Sequence, residues 1–320
     1  MSRPSKSKLP HRTKRTSLSR SLSDAAFAFA LLLPTSAGAA NNDQPDKVSF
    51  YFAAHEDDWQ LFMNPPAFDD VTSGTAKTVF VHVTAGDAGL GVGAGGRKQP
   101  YYLARENGAL DAIRFMVEAD KIPVDASAEV ITLNGHAIFR TSYVNTICYF
   151  MRLPDGNGSG AGFAGTGFQS LKRLASGEIN TLAAIDGSTV YRGWSDLVAT
   201  VREILNYERG DIPLAQLNVP DPDRRINPDD HSDHLMTARA ALDAAKDLNC
   251  VRRVYFVDYA SSNLPENLNG LQRDMESAVF AVTLAGVMAF DHGTSWSHYD
   301  RSFIGRNYFR VEEASARCGQ

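Results

Sequence analysis

The chain has 320 residues, of which 43% are hydrophobic and 22% charged, and its formal net charge is −5. That is enough apolar material for one large domain or two small ones, with the charge content of an ordinary soluble globular protein. No apolar run approaches the roughly 20 residues of a membrane-spanning helix, and an acidic balance is a poor match for nucleic acid or an anionic membrane surface.

The first forty residues stand apart. Arg3, Lys6, Lys8, Arg12, Lys14, Arg15 and Arg20 make the opening segment basic, AAFAFALLL follows as a short apolar run, and Ala37-Gly38-Ala39 offers a small-x-small cleavage site. That order is the order of a secretory signal peptide. Residues 1–40 are therefore expected to be a signal peptide, and residues 41–320 a single domain working in a secreted or periplasmic setting. The leader holds seven Lys/Arg against one acid, Asp24, so the remainder is more acidic than the whole. Three cysteines, Cys148, Cys250 and Cys318, do not make a disulfide framework. One bridge, Cys250 to Cys318, and free buried thiols are both open readings in an oxidising compartment.

Beyond the leader, VSFYFAA (48–54) and TVFVHVTA (78–85) read as strands, rich in aromatic and β-branched residues. DDWQLFM between them suits a short helix starting near Asp57 or Asp58 and stopped by Pro65-Pro66. A helix is predicted over 105–119, where Leu110, Ile113, Phe115, Met116 and Val117 fall on or near one face. A strand follows at 128–135. GNGSGAGFAGTG (156–167) is glycine-rich, either a flexible surface loop or a flap over a site. Further on come a helix at 194–208, a strand at 213–219, a helix at 234–248 and a strand at 252–260. Strands alternating with helices imply parallel pairing through right-handed crossovers, hence an α/β sheet covered on both faces.

Two clusters carry chemistry. HEDD (55–58) ends the first strand, and NPDDHSDHLMTAR (227–239) follows the strand PLAQLNV and opens a helix. Ligands in an open α/β sheet bind at the carboxyl ends of strands, so both clusters are expected on one rim. Zinc accepts His nitrogen and Asp oxygen, and a catalytic site uses three protein ligands and leaves a position for water. His55 and Asp58 lie three apart across a strand-to-helix turn, and His231 and His234 three apart at a helix start. A bound metal brings the pKa of its water toward about 7, and Asp57 stands next to the ligands as a general base. Of the two later histidines, one can complete the metal site. The other can donate to the oxyanion of a tetrahedral intermediate, with Asp233 holding that imidazole in the donating state.

AAHEDDWQ followed far downstream by HSDHLMTAR resembles the PIG-L/LmbE-like family of zinc-dependent N-deacetylases, whose motifs typically read AHPDDE and HPDH or HxxH. The resemblance implies a Rossmann-like, mostly parallel sheet with helices on both faces. It also implies removal of acetyl groups from N-acetylglucosamine-type amino sugars or glycoconjugates. Position by position it makes His55, Asp58 and His234 the ligands of one Zn2+ per chain. Asp57 becomes the general base, and His231 the oxyanion-stabilising acid with Asp233 as its partner. Arg105, with Glu106 at the start of the following helix, falls where the family often binds substrate. VHVTAGDAG (81–89) resembles the family's second strand and turn, and the similarity spans residues 48–260. Two positions depart from the motif: Glu56 replaces a proline and Trp59 an acid. Trp59 is expected to shape the pocket wall, since an indole face suits a sugar ring.

Two rivals come from other classes. One is a non-catalytic carbohydrate-binding protein on the same scaffold, for which Asp57 would have no use. The other is a nucleotide-binding oxidoreductase, suggested by the GxGxxG spacing of Gly91, Gly93 and Gly96; that motif should sit directly between strand and helix, and here it does not. His82 is expected as a satisfied core histidine, His136 on a loop, and WSHYDRSFIGRNYFR (295–309), which mixes aromatics with arginines, as packed against the sheet or, alternatively, bordering a carbohydrate pocket.

Overall fold

The computed structural model describes residues 45–119, 126–314 and Cys318. The signal-peptide reading of residues 1–40 lies outside these. Ten strands and eight α-helices follow one another from β1 (Lys47–Ala53), α1 (Asp58–Phe62), α2 (Pro66–Thr72) and β2 (Ala76–Thr84) to α3 (Tyr101–Glu118). Next come β3 (Ser127–Leu133), β4 (His136–Tyr143), β5 (Thr146–Leu153), α4 (Leu171–Ser176), β6 (Thr181–Ala183) and β7 (Val190–Arg192). The chain ends with α5 (Trp194–Arg209), β8 (Leu214–Pro220), α6 (Ser232–Ala244), β9 (Val251–Phe256), α7 (Gly270–Met288), α8 (Trp296–Ser302) and β10 (Phe309–Glu312). The described residues all belong to one unit, Asp43–Gln320.

Eight strands form one sheet in the order β10-β9-β8-β1-β2-β5-β4-β3, while β6 and β7 make a separate ribbon. The five central strands, β9 to β5 in that order, are parallel, and β10, β4 and β3 add antiparallel edges. This is the mostly parallel α/β sheet that the alternation of elements predicts.

β1 explains why both faces need covering. Val48, Phe50 and Phe52 enter one apolar cluster, and Tyr51 and Ala53 enter the other. Alternate side chains of a strand point to opposite faces, and all of these are buried, as a central parallel strand requires. α5 and α6 close the first face through Leu197, Val201, Ile204, Ala238 and Ala241. α3 and α7 close the second through Ile113, Met116, Val279 and Phe280.

Several elements differ from the sequence reading. Pro65-Pro66 ends α1 but also begins α2, with Pro66 at the first helical position, where a missing N–H is harmless. α3 starts at Tyr101, directly after Pro100. β4 and β5 form hairpins that the sequence reading lacks. Asn134-Gly135, both at positive φ, make the tight turn into β4, so His136 begins a strand rather than lying on a loop. Its Nε2 is 3.1 Å from Asp196 Oδ1. The tail pairs with the sheet, as expected, through β10 on β9. Cys250 and Cys318 form a disulfide and Cys148 is a buried free thiol. Among the described residues no helix is long and apolar enough to cross a membrane.

Candidate active site

β1 is hydrogen-bonded to β8 in parallel register, Tyr51 facing Asn218. The segments leaving their carboxyl ends therefore emerge side by side, and they carry the two clusters. On the first, Asp58 opens α1 and its Oδ2 accepts from the His55 backbone N–H at 2.7 Å, which closes the turn. On the second, His231 caps α6, its Nδ1 accepting from the Asp233 backbone N–H at 3.1 Å. An N-terminal cap of this kind needs an acceptor, so Nδ1 is unprotonated and the ring proton of neutral His231 sits on Nε2. Burial, and then the neighbouring His55, lower the His231 pKa to about 4.

His55, Asp58 and His234 converge. Asp58 Oδ1 lies 3.5 Å from His55 Nδ1 and 3.2 Å from His234 Nε2. Ligand atoms on a tetrahedral zinc at about 2.0–2.1 Å stand about 3.3 Å apart, so each of these two spacings suits a pair of ligands on one ion. His234 Nδ1 is 2.8 Å from Asp230 Oδ1 and 3.2 Å from Asp258 Oδ2. An N–H directed at these carboxylates leaves Nε2 as a lone pair, the arrangement that orients metal-binding histidines. Both His234 Nε2 and His55 Nε2 are buried without a hydrogen-bond partner. A second grouping overlaps the first: His55, His231 and His234 bring ring nitrogens within 4.8 Å of one another.

The electrostatics also call for a cation. Asp58, Asp155, Asp230, Asp233 and Asp258 crowd three imidazoles, and among the described residues Arg105 is the one Lys or Arg lining the cleft. Unpaired buried charge is costly. The imidazoles respond. Burial disfavours charge on His55 and His234, but Asp58 with Asp233, and Asp230 with Asp58, outweigh it and raise both pKa values well above the usual range. Asp58 is itself held low, as His234 and His55 overcome its burial. Asp258 goes the other way: burial lifts its carboxyl to about 7.

Asp57 lines the same cleft and its Oδ1 accepts from Arg105 Nη2. Arg105 is thus at the site, but its guanidinium is engaged by protein carboxylates. The Asp233 carboxylate does not reach His231 as expected, lying 3.9 Å from Nδ1; its Oδ2 accepts from Gly156 N–H at 2.7 Å and stands 3.6 Å from His55 Nε2. Its link to His231 runs through its backbone N–H instead. Trp59 is not a wall of the cleft. Fully buried, it packs on Phe80 at 4.5 Å and donates to His82 Nε2 at 3.2 Å. Its position on α1 faces the sheet, where an indole adds to the core, and His82 is the satisfied core histidine expected.

Four residues join the site that the sequence reading did not single out. Asp155, at the end of β5, accepts from Asn157 N–H and has Oδ1 4.0 Å from His231 Nε2. An acid ending a strand just before a glycine-rich run was a usable signal, hidden because β5 itself was not read. Asp258 follows β9 in the same way. Tyr259 and Tyr299 line the mouth of the cleft, the latter from α8. The glycine-rich segment lies beside the site, anchored by Gly156 on Asp233 and by Ser232 N–H donating to Gly158 O. Gly91, Gly93 and Gly96 occupy an irregular stretch between β2 and α3, not a strand-to-helix turn.

No protein-family model and no curated protein matches the chain. Among solved structures it is similar to the zinc-inhibited form of teicoplanin deacetylase Orf2, at 13% identity and a TM-score of 0.43, covering 84% of this chain and 99% of that one. It is also similar to N,N'-diacetylchitobiose deacetylase from Pyrococcus horikoshii, at 13% identity and a TM-score of 0.46, covering 84% of both chains. At that level of likeness any reading of activity has to stand on the side-chain geometry of this chain.

Proposed function

We propose that the protein is a zinc-dependent amide hydrolase that removes the N-acetyl group from an N-acetylglucosamine-type amino sugar or glycoconjugate. The carrying observation is the convergence of His55, Asp58 and His234 beside Asp57 on one rim of the sheet. These three residues would hold the ion. When bound, zinc supplies Lewis acidity and makes a hydrolytic water more acidic. Asp57 takes the proton of the attacking water. His231 turns Nε2–H toward the cleft, placed to donate to the oxyanion that develops on the acetyl carbonyl. The proton passes to the leaving nitrogen as the C–N bond breaks, giving acetate and a free amine. Tyr259 and Tyr299 put aromatic rings, the kind of side chain that favours sugars, in the lining of the cleft. We place the activity outside the cytoplasm, on the leader-like order of residues 1–40 and a disulfide suited to an oxidising compartment.

The test is metal content by mass spectrometry together with free-amine release from a panel of N-acetylated sugars and short oligosaccharides. We expect near one zinc per chain, lost in Asp58→Ala. Asp57→Ala should keep its zinc and lose about 10²- to 10⁴-fold in kcat, the usual share of a general base. Normal turnover in that variant would overturn the mechanism, and sugar binding without turnover in the wild type would turn the reading to a carbohydrate-binding protein.

A further inference from the structure

Glu56 stands between the two residues that hold the proposed metal and base, at a position where the similar motif carries proline. Its side chain is 1% exposed. Its Oε2 accepts from Arg105 Nε at 2.9 Å, while Nη2 of the same guanidinium donates to Asp57 Oδ1 and Nη1 lies 3.5 Å from the Tyr101 hydroxyl. Arg105 is therefore a bridge between a buried carboxylate and the carboxylate that lines the cleft. A rigid planar fork is the group that can serve two carboxylates at fixed angles; a lysine ammonium cannot.

The backbone is shaped around this bridge. Gly86, just beyond β2, has φ +47, and a Cβ there would come 2.6 Å from Glu56 Oε2 and 3.0 Å from the Arg105 guanidinium carbon. The loop at Gly86 packs closely against the Glu56–Arg105 pair. Glu56 Oε1 has no hydrogen-bond partner, so Arg105 is the group in contact that compensates this buried carboxylate.

We propose that Glu56 is a positioning residue: it fixes Arg105, and through Arg105 it sets the orientation of Asp57 toward the cleft. This rests on Asp57 being the base of the proposed hydrolysis. It also gives Arg105 a duty distinct from substrate binding. A displacement of about 1 Å in a reacting group can lower a rate about 100-fold, so a side chain that touches neither substrate nor metal can govern turnover here.

The experiment compares Glu56→Gln, Arg105→Lys and Gly86→Ala in the full chain with zinc. Each is read by zinc content and by kcat and KM separately, and Glu56→Gln and Gly86→Ala also by the Arg105 Nε–H signal of protein labelled with ¹⁵N-arginine. Glu56→Gln is expected to lower kcat by about 10- to 100-fold with KM and zinc content nearly unchanged. The slowly exchanging Arg105 Nε–H signal should be lost with it. Gly86→Ala, which adds one methyl against the pair, should show the same pattern more mildly. In the double variant with Arg105→Lys, Glu56→Gln should lower kcat no further, since both act through one bridge. Unchanged kcat and an unchanged Nε–H signal in a folded Glu56→Gln would overturn the proposal. So would loss of zinc in step with activity, which would place Glu56 with the ligands. If the wild type releases no amine from any N-acetylated sugar, the hydrolase reading fails. The labelled-arginine comparison then still decides whether Glu56 holds Arg105, and retention of the signal in Glu56→Gln would end that idea as well.

Discussion

His231 is a residue whose role follows from one hydrogen bond. Because Nδ1 accepts from the helix N-terminus, Nε2 carries the proton, and the ring is a donor toward the cleft rather than a lone pair. His234 is the reverse case, with Nδ1 spent on Asp230 and Nε2 left free. The two histidines of one HxxH pair are thereby divided into a ring with a proton on Nε2 and a ring with a lone pair there, which suits the donor and ligand roles proposed for them. His231→Ala is expected to keep its zinc and to lose about 10²- to 10³-fold in kcat, the usual effect of removing one oxyanion donor. Loss of zinc in this variant would instead favour the overlapping grouping of His55, His231 and His234. This division was only half legible in the sequence. The motifs name the right histidines, but spacing alone cannot say which ring nitrogen faces which neighbour. Trp59 shows the same limit: its identity suggests a sugar platform, and the face of α1 on which it falls sends it into the core.

At the scale of elements, α7 packs on α3 over one sheet face and was absent from the sequence reading, although Asn269 and Gln272 form a reciprocal capping box at its start. It is apolar enough that no clean helical stripe stands out. Its contact with α3 depends on two glycines. A Cβ on Gly108 would strike the Thr283 carbonyl oxygen, and one on Gly286 would come 2.7 Å from Gly108 Cα. Gly108→Ala should therefore destabilise by about 1–3 kcal/mol by overpacking, exceeding the roughly 1 kcal/mol that alanine gains in a helix; urea unfolding measures the difference. α7 also carries Glu276, whose Oε2 accepts from Gly305 N–H at 2.6 Å. Burial lifts its carboxyl from the usual 4.5 to about 8. Below pH 4.5 both folded and unfolded chains hold that proton. Above it the unfolded chain releases the proton first, so the folded state loses stability until about pH 8. Glu276→Gln should accordingly show a shallower fall in unfolding midpoint between these limits than the wild type. The elements that were legible are the central ones, where long apolar runs and strong periodicity leave little choice. The β4–β5 turn was not, because it places Val144 at φ 52, a conformation that no β-branched residue advertises.

Over the whole molecule, the Cys250–Cys318 bridge closes a loop with a sequence separation of 68 and ties the chain's end to the start of β9. In the chain-entropy account such a crosslink contributes about 2–4 kcal/mol. Cys250→Ser should lower the unfolding free energy by that order in chemical denaturation, with zinc content and kcat unchanged, since the bridge lies at the opposite end of the strands from the cleft. The neighbouring of β1 and β8 reaches further, into the order of events when the chain is made. His55 and Asp58 leave the ribosome long before His234. A nascent chain that stops short of β8 owns two of the three residues of the proposed metal site, at the end of a strand that has no neighbour on one side. On the proposed function, zinc loading would be a late event that waits on the pairing of β1 with β8, and occupancy of the ion would mark chains whose central sheet has closed.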